Sequence, residues 1–240
     1  MSSLAAVNSD SDGEEVMDLS NSAILDKYKA AAEIVNKALE GVVTTQIKDG
    51  ASVRAICSFG NAVIKQCADN TYKKGKVEKG IAFPTCISVN HCVCHFSPLE
   101  DEDVTIKTGD VVKIDMGAHI SGCVAVVGHT LVVGGGVPDG GETKASEGEK
   151  ATASFSDVAT AAYKAGQLCL SLMVPGNTNT MLTETIAKVA EAYGVTPCQG
   201  VLMHQMKPFV IDGNKVVINK VEPDQNVEEC TFVSEFIFLK

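Results

Sequence analysis

The sequence predicts an α+β fold in which helices cover one face of a curved antiparallel sheet. Three observations predict it. Apolar residues recur at helical spacing in two separate pairs of segments. From residue 81 the chain changes to strand-like runs, with a turn at Ile120-Ser121-Gly122-Cys123 between two of them. After the second helical pair, shorter strand-like runs return. Helices and strands that stay segregated favour α+β, and the repeated order reads as an internal duplication of one helix–sheet unit.

The first helix is expected over 22–47, capped by Ser22, with Ile24, Leu25, Tyr28, Ala31, Val35, Leu39 and Val42 on one face. The second runs over about 51–69, with Val53, Ile56, Gly60, Val63, Ile64 and Cys67 inward. Then comes a basic loop, "YKKGKVEKG", residues 72–80, with Lys73, Lys74, Lys76 and Lys79 against the single anion Glu78. "GIAFPTCISVN" reads as a strand broken by Pro84. "VVKIDMGAHI" and "VAVVGHTLVV" read as an antiparallel hairpin. The Gly-rich stretch 134–150 has no strand and helix in phosphate-loop register, which excludes a nucleotide-binding reading there. The third helix is expected over about 154–172, with Val158, Ala161, Ala165, Leu168 and Leu172 inward, stopped by "VPG". The fourth runs over about 179–193, with Leu182, Ile186, Val189 and Tyr193 inward. Strand-like runs follow in "GVLMHQMKPFVIDG", "KVVINK" and "CTFVSEFIFLK".

Composition narrows the function classes. Of 240 residues, 45% are hydrophobic and 21% charged, so most of the chain can bury a core. The net charge of −10 means that any nucleic-acid contact needs a local basic patch. Residues 1–20, rich in Ser, Asp and Glu, are expected to be a disordered acidic tail without the apolar stretch of a signal peptide. Ser9 and Ser11 lie there in a context that suits an acid-directed kinase. No apolar run reaches membrane-spanning length. Of nine cysteines only Cys92 and Cys94 lie close together, and no second pair answers them at zinc-site spacing, so most are expected to be small core residues.

Asp115 stands inside a predicted strand, where an unpaired carboxylate is costly. It therefore calls for a metal, a cation or a hydrogen-bond network. His119 and His129 flank the same hairpin; two histidines could contact zinc but are too few for a closed site, so both are read as ordinary surface or core histidines, as is His91.

The run "GIAFPTCISVN…CHFSP…GDVVKIDMGAHISG", then "VGHT…LVV" and "CQGVLMHQ", resembles the methionine aminopeptidase and creatinase family, whose fold is called pita-bread. "KYKAAAEIVNKAL", "VCHFSPL" and "HQMKPFVIDGNKVV" are similar in particular to plant members of its non-catalytic, proliferation-associated branch. The resemblance implies the pita-bread fold over residues 21–240, with a truncated domain whose second half is incomplete and which lacks a longer C-terminal half and Lys-rich tail. A splice form, a divergent duplicate or a misdrawn gene end would each fit. An unfinished sheet would leave an exposed edge and a marginally stable, aggregation-prone product.

In the active enzymes of that family two metals are held by two Asp, one His and two Glu and activate a water. The resemblance carries the first Asp to Asp115 and the His to His204. The second Asp position, eleven residues on and on the same face, is Val126, which cannot ligate. Met203 replaces a glycine before the His, and Asp212 stands near a second His of the type 2 enzymes. Glu235 lies near the first Glu position, and the second has no counterpart. His95 matches the substrate-contacting His. The reading is a vestigial site of His95, Asp115 and His204 that binds no metal or other cofactor, with Asp115 kept by hydrogen bonding to His95 or His204. The resemblance further implies a non-enzyme that binds RNA and the large ribosomal subunit, in cytoplasm and nucleus including the nucleolus, with roles in ribosome assembly, translation and growth control. Lys73, Lys74, Lys76 and Lys79 are the candidate RNA contacts, with Lys27, Lys29 and Lys37 on the first helix. Two other readings are a protein-interaction module without RNA contact and an active metallo-aminopeptidase.

Overall fold

The computed structural model describes residues 19–99, 101–134, 155–221, 228–233 and 237–238. Most of the acidic tail with Ser9 and Ser11, nearly all of the Gly-rich stretch, and Glu235 lie outside these residues.

Helix α1, Ser22–Gly41, starts at an Asn21 cap whose side chain accepts the Ala23 N–H at 3.0 Å. The expected cap, Ser22, is instead the first helical residue, because Asn21 holds the extended backbone a cap requires. The helix does not continue to 47. Over Val42–Gln46 it widens into a π turn, where the Thr44 and Thr45 hydroxyls donate to the carbonyls of Glu40 and Gly41, each at 2.7 Å. A run of β-branched residues with back-bonding hydroxyls explains the loosening. Helix α2, Val53–Asn70, is capped by Ser52, which accepts the Ala55 N–H at 3.0 Å.

The first sheet has the order β1-β2-β3, all antiparallel: β1 Lys79–Val89, β2 Val111–Ile120 and β3 Cys123–Val132. Strand β1 is continuous where a break at Pro84 was expected. As an edge strand it accommodates the proline through register shifts on either side of Phe83. Ile114, Met116, Ala118 and Ile120 of β2 alternate onto one face and join Ile34, Val35, Ala38, Ile56 and Ile64 in the main core. Helices α1 and α2 thus cover that face. The opposite face carries Lys113, Asp115, Gly117 and His119.

Helix α3, Phe155–Leu172, and α4, Asn179–Ala192, repeat the pair. Thr178 caps α4, accepting the Met181 N–H at 3.4 Å. In α3, Val158 and Leu168 are 46% and 43% exposed rather than inward; the buried side is set by Ala161 and Cys169. The second sheet has the order β5-β4-β6: β4 Leu202–Met206, β5 Val216–Ile218 and β6 Ile237–Phe238. Its described strands are short, against ten or eleven residues in each strand of the first sheet. Cys169, Leu182, Ile186, Val217 and Phe232 form its own core.

Asn179, 1% exposed, fastens this half. Its Nδ2 donates to the carbonyls of Val216 at 2.9 Å and Glu228 at 3.0 Å. Its Oδ1 accepts the Cys230 and Thr180 N–H groups at 2.9 and 3.0 Å. Among the described residues the cysteines are all free; Cys57, Cys86, Cys123 and Cys169 are buried, as small core residues would be. No described helix is long and apolar enough to cross a membrane.

Candidate functional site

Asp115 sits at the middle of β2, paired with Cys86 on β1 and Gly128 on β3. Directly paired residues of an antiparallel sheet share a face, so all three look away from the helices. The β1–β2 connection folds back over this face. The Ile87 N–H donates to the Phe96 carbonyl at 2.8 Å, and the Phe96 N–H to Ser88 Oγ at 3.2 Å. His95, the residue before Phe96, has a left-handed backbone, φ +62°, and a largely exposed side chain. His95 Nδ1 then lies 3.1 Å from Asp115 Oδ2.

Burial raises the Asp115 carboxyl above its ordinary range, and the neighbouring His95 opposes that shift. Two thiols nearby are shifted in the same direction. Burial first, then the Asp115 charge, pushes Cys86 up to about 11, and the same two causes raise Cys94. Both shifts disfavour the thiolate, the form that acts as a nucleophile. Cys94 belongs to the C-x-C pair with Cys92 that the sequence marks out, whereas only the β1–β2 register brings Cys86 beside Asp115.

Val126 pairs with Gly117, one step diagonal from Asp115 on the same face, as the hairpin pattern required. Such diagonal positions lie about 7–8 Å apart, within reach of a shared metal pair had both been carboxylates. Instead the floor here is apolar. The Phe83 ring lies so close over Gly117 that a Cβ there would meet it at 2.5 Å.

His204 is on β4, opposite Val216. Its Nδ1 is 3.8 Å from Asp212 Oδ1, too far for a hydrogen bond, and is buried without a hydrogen-bond partner. Met203, where the enzymes resembled have glycine, packs into the second core. The three residues expected to form a vestigial site therefore divide. His95 and Asp115 are paired, while His204 turns to Asp212 and makes no ion pair with Asp115.

His119 and His129 do not form a pair. Residue 119 faces Val124 and residue 129 faces Ile114, which places them on opposite sides of the hairpin. His119 Nδ1 accepts the Gly122 N–H at 3.4 Å. His91 is exposed.

The chain matches Metallopeptidase family M24 over residues 26–230. It belongs to that family. Curated M24-like relatives include ERBB-3 binding protein 1 of Solanum tuberosum, 45% identical over 94% of this chain and 55% of that protein. Proliferation-associated protein A of Dictyostelium discoideum is 41% identical over 93% of this chain and 55% of its own length. The chain thus spans about half the length of these relatives. A thermophilic Arx1 structure superimposes with TM-score 0.72 at 24% identity, over 88% of this chain and 60% of that one. A methionine aminopeptidase from Thermotoga maritima superimposes with TM-score 0.67 at 18% identity, over 91% and 78%. These likenesses establish the pita-bread fold.

The two-metal centre implied for active M24 enzymes does not fit the residues here. Asp115 is engaged by His95, a valine and an aromatic ring fill the neighbouring ground, and His204 belongs to a separate contact. Among the described residues no three His, Cys, Asp or Glu side chains converge as a metal site.

The basic loop lies between α2 and β1. Lys73, Lys74 and Lys76 are exposed. Lys79 differs: its ammonium donates to the carbonyls of Thr71 and Tyr72 and closes the loop on itself. On α1, Lys29 and Lys37 are exposed and Lys27 is half-buried.

Proposed function

We propose that this M24 chain is a non-catalytic, aminopeptidase-like protein that binds RNA and the large ribosomal subunit. It would act in ribosome assembly, translation and growth control, in cytoplasm and nucleus including the nucleolus. The observation that carries the reading is the His95–Asp115 contact beside Val126. With the first ligand engaged and the second replaced, a bridged metal pair has no place to form, and metal-activated water is lost with it. An enzyme that trims nascent chains works beside the ribosomal exit, so loss of its metals leaves a docking surface to act alone. Lys73, Lys74 and Lys76 supply exposed cations on a chain otherwise strongly acidic.

A second reading, a protein-interaction module without RNA contact, draws on relatives named for binding ERBB-3. Sedimentation of cell extract containing the tagged chain, at low and raised salt, separates the two. Co-migration with large ribosomal subunits that fades as salt rises supports the first, because phosphate contacts release counterions. Migration only at the top of the gradient, with partners that survive ribonuclease and high salt, supports the second.

A further inference from the structure

At the β2–β3 turn three segments far apart in sequence are hydrogen-bonded together. The Ser121 N–H donates to the Glu78 carbonyl at 2.6 Å, at the end of the basic loop. One residue on, the Gly122 carbonyl accepts the Phe209 N–H at 3.0 Å. The turn therefore joins the lysine loop of the first half to the loop after β4 in the second.

Phe209 is held in an unusual way. Its backbone is left-handed, φ +61°, which a bulky residue rarely adopts. Lys207 and Val210 close the loop by reciprocal N–H to carbonyl bonds of 2.9 Å. The ring rests on Gly122, where any Cβ would meet it at 2.5 Å. Even so, the residue stays 62% exposed. The loop thus fixes an aromatic face in solvent rather than burying it. Lys207 lies two residues before it, and the Glu78–Ser121 bond ties the same turn to the loop of Lys73, Lys74 and Lys76; these four lysines are exposed, as are Glu78 and Asp212. These side chains sum to a positive charge on a chain of charge −10.

A preset aromatic face on segments tied to exposed cations matches a base and its neighbouring phosphates. We propose that Phe209 is a stacking platform for an unpaired base of single-stranded RNA, with Lys207 and the loop of Lys73, Lys74 and Lys76 on the flanking phosphates. This rests on the RNA-binding reading above and adds the RNA class and the residue that receives it.

The test is fluorescence titration of the full chain with a short oligouridylate carrying a single fluorescent purine, over a salt series. Phe209→Leu keeps an apolar side chain and removes the π face; Phe209→Trp keeps the π face. The expected result is a loss of about tenfold or more for Phe209→Leu, with affinity retained by Phe209→Trp. The salt slope of Phe209→Leu should equal that of the parent. Joint replacement of Lys73, Lys74 and Lys76 by Ala should instead flatten the slope, by about 0.7 for each lost phosphate contact. If Phe209→Leu binds as the parent does while the lysine variant is weakened, stacking is overturned and the RNA reading stands. Equal losses in Phe209→Leu and Phe209→Trp also overturn stacking, because the loop then needs phenylalanine for its own shape. A parent chain that binds no RNA overturns both.

Discussion

His95 Nδ1 stands 3.1 Å from Asp115 Oδ2, so the loop over the sheet occupies the carboxylate that a metal would otherwise need. Burial raises that carboxyl above its ordinary range, with His95 opposing. The folded chain therefore keeps the proton to higher pH than the unfolded chain does. The stability this group contributes is complete below its unfolded pKa and is lost as pH rises through the folded one.

Asp115→Asn removes this titration. The variant is expected to melt no lower than the parent at neutral pH, and to lose part of the pH dependence just above the ordinary carboxylate range. Thermal melts over a pH series check both. A large loss of stability at neutral pH would mean that the ionised carboxylate is required.

Val126→Asp restores a carboxylate on the face of Asp115 without restoring the other ligands. It places like charges on a partly buried surface, at a cost of about 1–2 kcal/mol at neutral pH. Acidification should recover the loss. Urea titrations at neutral and mildly acid pH measure it, and no peptidase activity should appear.

Asn21, not Ser22, caps α1. Asn21→Ala should cost about 1 kcal/mol, and Ser22→Ala only a few tenths. Equal effects in urea unfolding would place the cap elsewhere.

Asn179 makes two donor and two acceptor bonds while buried. Asn179→Asp keeps the shape but cannot donate to the carbonyls of Val216 and Glu228. The expected cost is roughly 2–4 kcal/mol, expressed as faster proteolysis of the second half while the first sheet stays protected. Unchanged protection would remove Asn179 from its place as the fastener of that half.

The order of elements was legible because each helix carries an apolar stripe at helical spacing and the hairpin turn is marked by Ser121-Gly122. Gly60 was rightly placed inward: a Cβ there would meet Thr85 at 2.6 Å. The replacement of a ligand at Val126 needed only the period of a strand, and the register agrees. That same period, applied from the turn, separates His119 from His129. Other features were beyond a local reading. Pro84 stays within β1 because bulges in an edge strand absorb it. Val158 and Leu168 are exposed because the neighbours of α3, not its own pattern, decide which side is covered. Asn179, Phe209 and the pairing of His204 with Asp212 depend on segments brought together only by the fold.

If the hairpin keeps the shape of an M24 metal site but not its chemistry, the chain cannot activate a water for peptide hydrolysis. The direct measurement is hydrolysis of a Met-Ala-Ser peptide by the purified chain with added cobalt or manganese, with and without chelator. No hydrolysis that the chelator abolishes is expected. Chelator-sensitive release of methionine, lost in Asp115→Asn and His204→Ala, would contradict it.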